Sequence, residues 1–243
     1  MNKSEFTRRD FLEYSGTYLS AFVLDSYFPT FLHKESSHWV PYFDHGDPMC
    51  NKIALTIDDG WHPEKVEQAV DVLSNFGIPA TFFPVGTQLE AYPKIWQRAH
   101  SLGFEFHNHT YSHADLGNPE TDIRSQISRW EEAYESLGLG KYAHKVVLPP
   151  DNNGVNDQRL YTVCSRLDYQ GVAGWTIDSP GYSSKTDVDD VKRRVFPKIA
   201  GGAIILLHFI NTDIEVMPDI IATANKKGLE FVVLSELPGI PIY

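Results

Sequence analysis

Cysteine and surplus positive charge are both scarce in this chain. Cys50 and Cys164 are its two cysteines. They lie far apart, with no Cys or His partner at metal-ligand spacing, so they read as ordinary thiols and define neither a disulfide framework nor a thiolate zinc ribbon. Lys and Arg number 21 against 32 Asp and Glu, a formal net charge of -11. Such a surface repels polyphosphates, and no basic run with interleaved aromatics offsets it, so nucleic acid is not an expected partner. A long uninterrupted apolar run is also missing. The most apolar stretch near the start, residues 18–32, is broken by Asp25 and Pro29, and no transmembrane span is predicted. Low-complexity tracts are absent.

The 243 residues, 42% of them hydrophobic, suit one large domain or two small ones. Near the start, "TRRDFLEYSG" sets Arg8 and Arg9 before Phe11 and Leu12, a pattern that resembles the twin-arginine export signal. Residues 1–35 are therefore expected to be an export signal or N-terminal tether, and the protein extracytoplasmic: periplasmic, cell-wall or secreted. A polar linker over 36–49 is expected to lead into a domain spanning 50–243.

That domain alternates in a regular way. Apolar runs at 52–57, 80–85, 104–108, 145–149, 171–177, 203–209 and 230–235 read as seven strands. Most are continuously apolar, as strands of a parallel sheet covered by helices must be. Between them lie helical stripes. One carries Val66, Val70, Leu73 and Phe76 after Pro63 and before Gly77; another carries Ile123, Ile127, Trp130, Tyr134 and Leu137 before Gly138. Repeated strand and helix predict an α/β fold, with a doubly wound sheet and a βα barrel both open at this point. In either, reactive groups gather at the C-terminal strand ends. Asp58, Asp59, His109, Asp178 and His208 all fall there.

The adjacent acids of "TIDDG", Asp58 and Asp59, raise the question of what offsets their repulsion. "HNHTYSH" supplies His107, His109 and His113. A helical turn would put His109 and His113 on one face, and two neutral imidazoles with one carboxylate leave coordination positions open, as catalytic metal sites do. His107 reads as a packed or hydrogen-bonded residue.

These motifs resemble the polysaccharide deacetylases, carbohydrate esterase family four. "TIDDG" (56–60), "HTYSH" (109–113) and "LLH" (206–208) stand in that family's order, and "IPATFFPVG" is similar to it as well. The resemblance runs from about residue 50 to 235 and implies a distorted (β/α) barrel of about seven parallel strands. It implies that Asp59, His109 and His113 hold a divalent metal, zinc first, with cobalt, nickel or iron admissible. Asp58 is then the general base and His208 the acid that protonates the departing amine.

Supporting positions follow the same resemblance: Pro149 and Pro150, the Asp151 backbone N–H as oxyanion donor, and Leu206. Trp61, Trp175 and Tyr182 stand beside the motifs and read either as surfaces for a sugar ring or as core aromatics. Two positions depart from the family pattern. Leu148 stands where an arginine is usual, and Gly181 where a second acid is usual after Asp178; Asp178 is the substitute expected to orient His208. The expected function is removal of N-acetyl groups from amino sugars of peptidoglycan, a chitin-like glycan or an exopolysaccharide. The alternatives are an impaired metal- and glycan-binding homologue, or a hydrolase of another carbon–nitrogen amide bond.

Overall fold

In a computed structural model of the chain, the structure describes residues 38–140, 142, 144–182 and 185–242. The expected export segment, 1–35, lies outside them. Nine strands are described: β1 (Tyr42–Phe43), β2 (Lys52–Asp59), β3 (Thr81–Pro84), β4 (Glu105–Phe106), β5 (Val146–Val147), β6 (Gly171–Ala173), β7 (Ile177–Asp178), β8 (Ile204–His208) and β9 (Glu230–Val232). The helices are α1 (Pro63–Phe76), α2 (Gly86–Ala91), α3 (Pro93–Ser101), α4 (Ile123–Ser136), α5 (Gln158–Arg166), α6 (Val188–Val195) and α7 (Asn211–Lys226).

Every ladder is parallel. One sheet runs β4-β3-β2-β8-β7, with β9 beside the first half of β2; a second runs β1-β6-β5. An isolated bridge from Asn108 to Val147 joins them. The expected strand at 171–177 is split: β6 pairs with β5, and β7 pairs with β8. The sheets therefore curl into a distorted (β/α) barrel with no single ladder closing the ring among the described residues.

Strand parity decides what faces where. On β2, Ile53, Leu55 and Ile57 pack into the larger core under the helices, while Ala54 faces an inner cluster with Phe83, Leu148 and Ile204. Thr56 and Asp58 continue that inner row. On β8 the inner row is Ile204, Leu206 and His208. Asp58 and His208 are direct register partners.

Helix ends follow their residues. Pro63 opens α1, and Gly77 closes it at φ 64°, a left-handed cap that costs glycine little. Val66, Val70 and Leu73 are buried as expected. Phe76, expected on the same face, is 52% exposed in the final turn. In α4 the whole stripe from Ile123 to Leu137 is buried, and Asp122 caps its start by accepting from Ser125 N.

The expected linker at 36–49 is corrected by β1. Tyr42 and Phe43 pair with Val172 and Ala173, and Val40 and Phe43 are buried, so from residue 38 onward this stretch belongs to the barrel.

Inside the barrel Glu105 lies 3.3 Å from the buried His107 imidazole and accepts from Thr81 Oγ1 at 2.8 Å and Ser235 N at 3.3 Å. Burial works against the Glu105 carboxylate, but His107 and these donors outweigh it and lower its pKa from 4.5 to about 2. A lowered carboxylate pKa stabilises the fold above pH 4.5, and that contribution is lost as pH falls toward 2. Urea midpoints measured across this window should fall steeply for the parent and less steeply for Glu105→Gln.

Candidate active site

The candidate site grows out of the inner row at the C-terminal end of β2. Asp58 keeps the strand's parity and is 3% exposed. Strict alternation would turn Asp59 toward the helices, but its φ of 79°, followed by Gly60 at 95°, swings its carboxylate to the same mouth. A Cβ on Gly60 would meet the Trp96 ring at 2.6 Å, so glycine is needed there on two counts. The adjacent acids thus share one target, and both lie near His109: Nε2 is 3.8 Å from Asp58 Oδ2 and 3.6 Å from Asp59 Oδ1.

His109 and His113 meet by a different route from the one expected. The stretch between them forms no helical turn, because Thr110 (φ 63°) and His113 (φ 58°) are left-handed. Side chains hold this loop instead. Asn108 Oδ1 accepts from Thr110 N, Thr110 Oγ1 accepts from Ala114 N, and Gln126 Oε1 on α4 accepts from Ser112 N. The rings end with centroids 5.1 Å apart, and His113 Nε2 is 3.3 Å from Asp59 Oδ1. Asn108 is fully buried, so its Asn-His-Thr pattern carries no glycan.

These three residues fit a divalent metal. Their ligand atoms lie within 4.8 Å of one another, and two donors on one tetrahedral zinc stand about 3.4 Å apart. Asp59 Oδ1 is buried and lacks a hydrogen-bond partner. His109 Nδ1 faces the Leu148 carbonyl at 2.7 Å. A carbonyl only accepts, so Nδ1 carries the proton and Nε2 presents its lone pair toward Asp59. Burial, with His113 adding to it, lowers the His109 pKa to about 4 against the pull of Asp59, which keeps the ring neutral as a ligand must be. Leu148 contributes through this carbonyl. Its side chain, where an arginine was expected, is buried in the inner apolar cluster.

Burial, above all, raises the Asp58 pKa well above 3.8; His208 lowers it and Asp59 raises it further. His208 behaves in the opposite way. Burial disfavours its charge, but Asp213 first, then Asp58 and Asp59, raise its pKa to about 9.

A cleft of about 260 Å³ is lined by Asp58, Asp59, His109, His113, Asp151, Trp175, Asp178, Leu206 and His208, all of them residues the sequence motifs single out. Trp61 sits at the rim, 44% exposed, its ring centroid 5.9 Å from that of His113. Pro149 and Pro150 lead into a short turn in which Asp151 and Asn152 are both left-handed. Tyr182 ends the turn Pro180–Tyr182; its side chain lies outside the described residues. His107 stands apart from the trio that could hold a metal and is paired with Glu105.

The expectation that Asp178 orients His208 is corrected. Asp178 Oδ2 is engaged by Arg194 at 3.0 Å, and the acid against His208 is one that no motif marked, Asp213. Its Oδ2 accepts from His208 N at 2.7 Å and lies 3.6 Å from His208 Nδ1. Its Oδ1 accepts from Ser179 Oγ at 2.5 Å.

A parallel (β/α) barrel with one acid and two imidazoles at its C-terminal mouth has the form of a metal-dependent hydrolase. The polysaccharide deacetylase family model matches residues 45–172, and the chain belongs to that family. It is 28% identical over 242 residues to a peptidoglycan-N-acetylglucosamine deacetylase of Bacillus cereus, covering 92% of this chain and 86% of that protein. Among solved structures it is similar to the Bc1960 peptidoglycan N-acetylglucosamine deacetylase, with a TM-score of 0.73, 26% identity, and coverage of 82% and 94% of the two chains. BA3943, a CE4 family pseudoenzyme from Bacillus anthracis, shares the fold at a TM-score of 0.74 and 22% identity, covering 83% of this chain and 71% of its own.

The division between the two acids can be tested by metal binding alone. Asp59→Asn should weaken zinc binding in calorimetry by more than about 100-fold, whereas Asp58→Asn should stay within about tenfold of the parent.

Proposed function

We propose that this protein is a metal-dependent hydrolase that removes N-acetyl groups from N-acetylglucosamine residues of a polysaccharide, with zinc as its metal and peptidoglycan as the first substrate to test. The observation that carries this reading is the cleft itself, in which the Asp59, His109 and His113 donors converge beside Asp58 and His208, register partners on neighbouring strands. The family membership and the peptidoglycan-N-acetylglucosamine deacetylase relative support the same choice of bond.

A divalent ion bound there would polarise the acetamide carbonyl and acidify a water molecule. Asp58 takes a proton from the attacking water as its oxygen adds to the carbonyl carbon. His208, protonated at neutral pH, gives a proton to the nitrogen as the carbon–nitrogen bond breaks, and acetate and a free amine leave. Asp151 presents a backbone N–H near the same carbonyl. Trp61 and Trp175 offer faces on which a sugar ring can stack.

The reaction needs export if the substrate is a cell-wall glycan, and Arg8 with Arg9 supports a twin-arginine route to an extracytoplasmic location. A strain carrying Arg8→Lys with Arg9→Lys should retain the protein in the cytoplasm; unchanged export would remove that part of the reading.

Two assays test the chemistry. With zinc or cobalt, the purified protein should release acetate from N-acetylglucosamine oligomers or from peptidoglycan, and Asp58→Asn should lower kcat by about 10² to 10⁴. Stoichiometric metal with no acetate from any of these glycans would overturn catalysis and favour the glycan-binding alternative.

A further inference from the structure

We infer that Asp213 is the positioning acid for His208, and that its carboxylate fills the space from which an acid at position 181 would otherwise act. This deepens the deacetylase reading, because it supplies what the departure at Gly181 takes away.

The argument starts from burial. Asp213 is completely buried, and a buried carboxylate persists only where donors satisfy it. Its donors are local and specific. It sits in the first turn of α7, where the helix start favours a negative charge. There it reaches back to His208 N and lies 3.6 Å from the imidazole Nδ1. Ser179 Oγ donates to its other oxygen and accepts in turn from Gly181 N at 3.1 Å. One acid thus ties the end of β8 to the loop after β7.

Gly181 records the exchange. A Cβ built there would stand 2.8 Å from Asp213 Cγ and closer still to Oδ1. Carboxylate and side chain cannot occupy that volume together, so an acid at 181 and an acid at 213 are alternatives. The other titratable groups that face His208 are Asp58 and Asp59 from β2, His109 from the loop after β4, and Asp178 from β7. All four line the cleft, and Asp178 is in addition paired with Arg194.

Asp213→Asn tests the assignment because its amide oxygen still accepts from His208 N, while the charge beside Nδ1 is gone. In the metal-free protein, the NMR titration midpoint of His208 should fall by about one pH unit or more; this holds whether or not the protein turns over glycan. In the metal-loaded enzyme, kcat should fall about 10- to 100-fold with KM within about twofold, and the basic limb of the pH profile should move to lower pH along with His208.

Gly181→Asp alone should lower activity and stability, since two acids then compete for one space. Gly181→Asp combined with Asp213→Ala should return the His208 midpoint toward the parent value. Should the double variant not fold, Asp213→Asn decides the matter. An unchanged His208 midpoint in Asp213→Asn would overturn the inference and reduce Asp213 to a packing element of α7.

Discussion

The site is organised around two adjacent acids, Asp58 buried and Asp59 partly so, whose repulsion a bound positive charge would offset. Asp58 and Asp59 are neighbours in the chain, share one target and lie largely out of water. Without a cation, burial pushes the Asp58 proton affinity up, and Asp59 keeps a buried oxygen with no hydrogen-bond partner. Both facts fit a place for a dication, which would satisfy Asp59 directly and lighten the field that Asp58 feels. The unfavourable backbone at Asp59 and His113 has the same explanation: local strain is kept because it aims ligand atoms at a common point.

Much of this was legible in the sequence, for a physical reason. Parallel strands must be apolar on both faces, so each showed as a run, and polar residues at the ends of those runs marked the mouth of the barrel. Asp58, His109 and His208 could be read that way. β1 could not, since two residues in a polar stretch carry no periodicity. Nor could the loop from His109 to His113, because left-handed Thr and His residues leave no mark in composition. Asp213 was hidden for a different reason: an acid in a helix's first turn is ordinary, and only its reach back to His208 N sets it apart.

The two departures from the family pattern have different characters. Gly181 is coupled to another residue, the carboxylate of Asp213 standing in its space. Leu148 is coupled through its backbone. Its carbonyl sets the His109 tautomer, a task open to any residue, which leaves its side chain to the apolar interior.

Because Asp58 and His208 face each other across a single rung of a parallel ladder, the gap between them is fixed by main-chain hydrogen bonding. It behaves as a lattice constant of the sheet. Insertions and exchanges in the rim loops can therefore reshape the groove for a different glycan and leave this spacing alone. A one-residue slip within β2 or β8, by contrast, would turn one member of the pair to the opposite face.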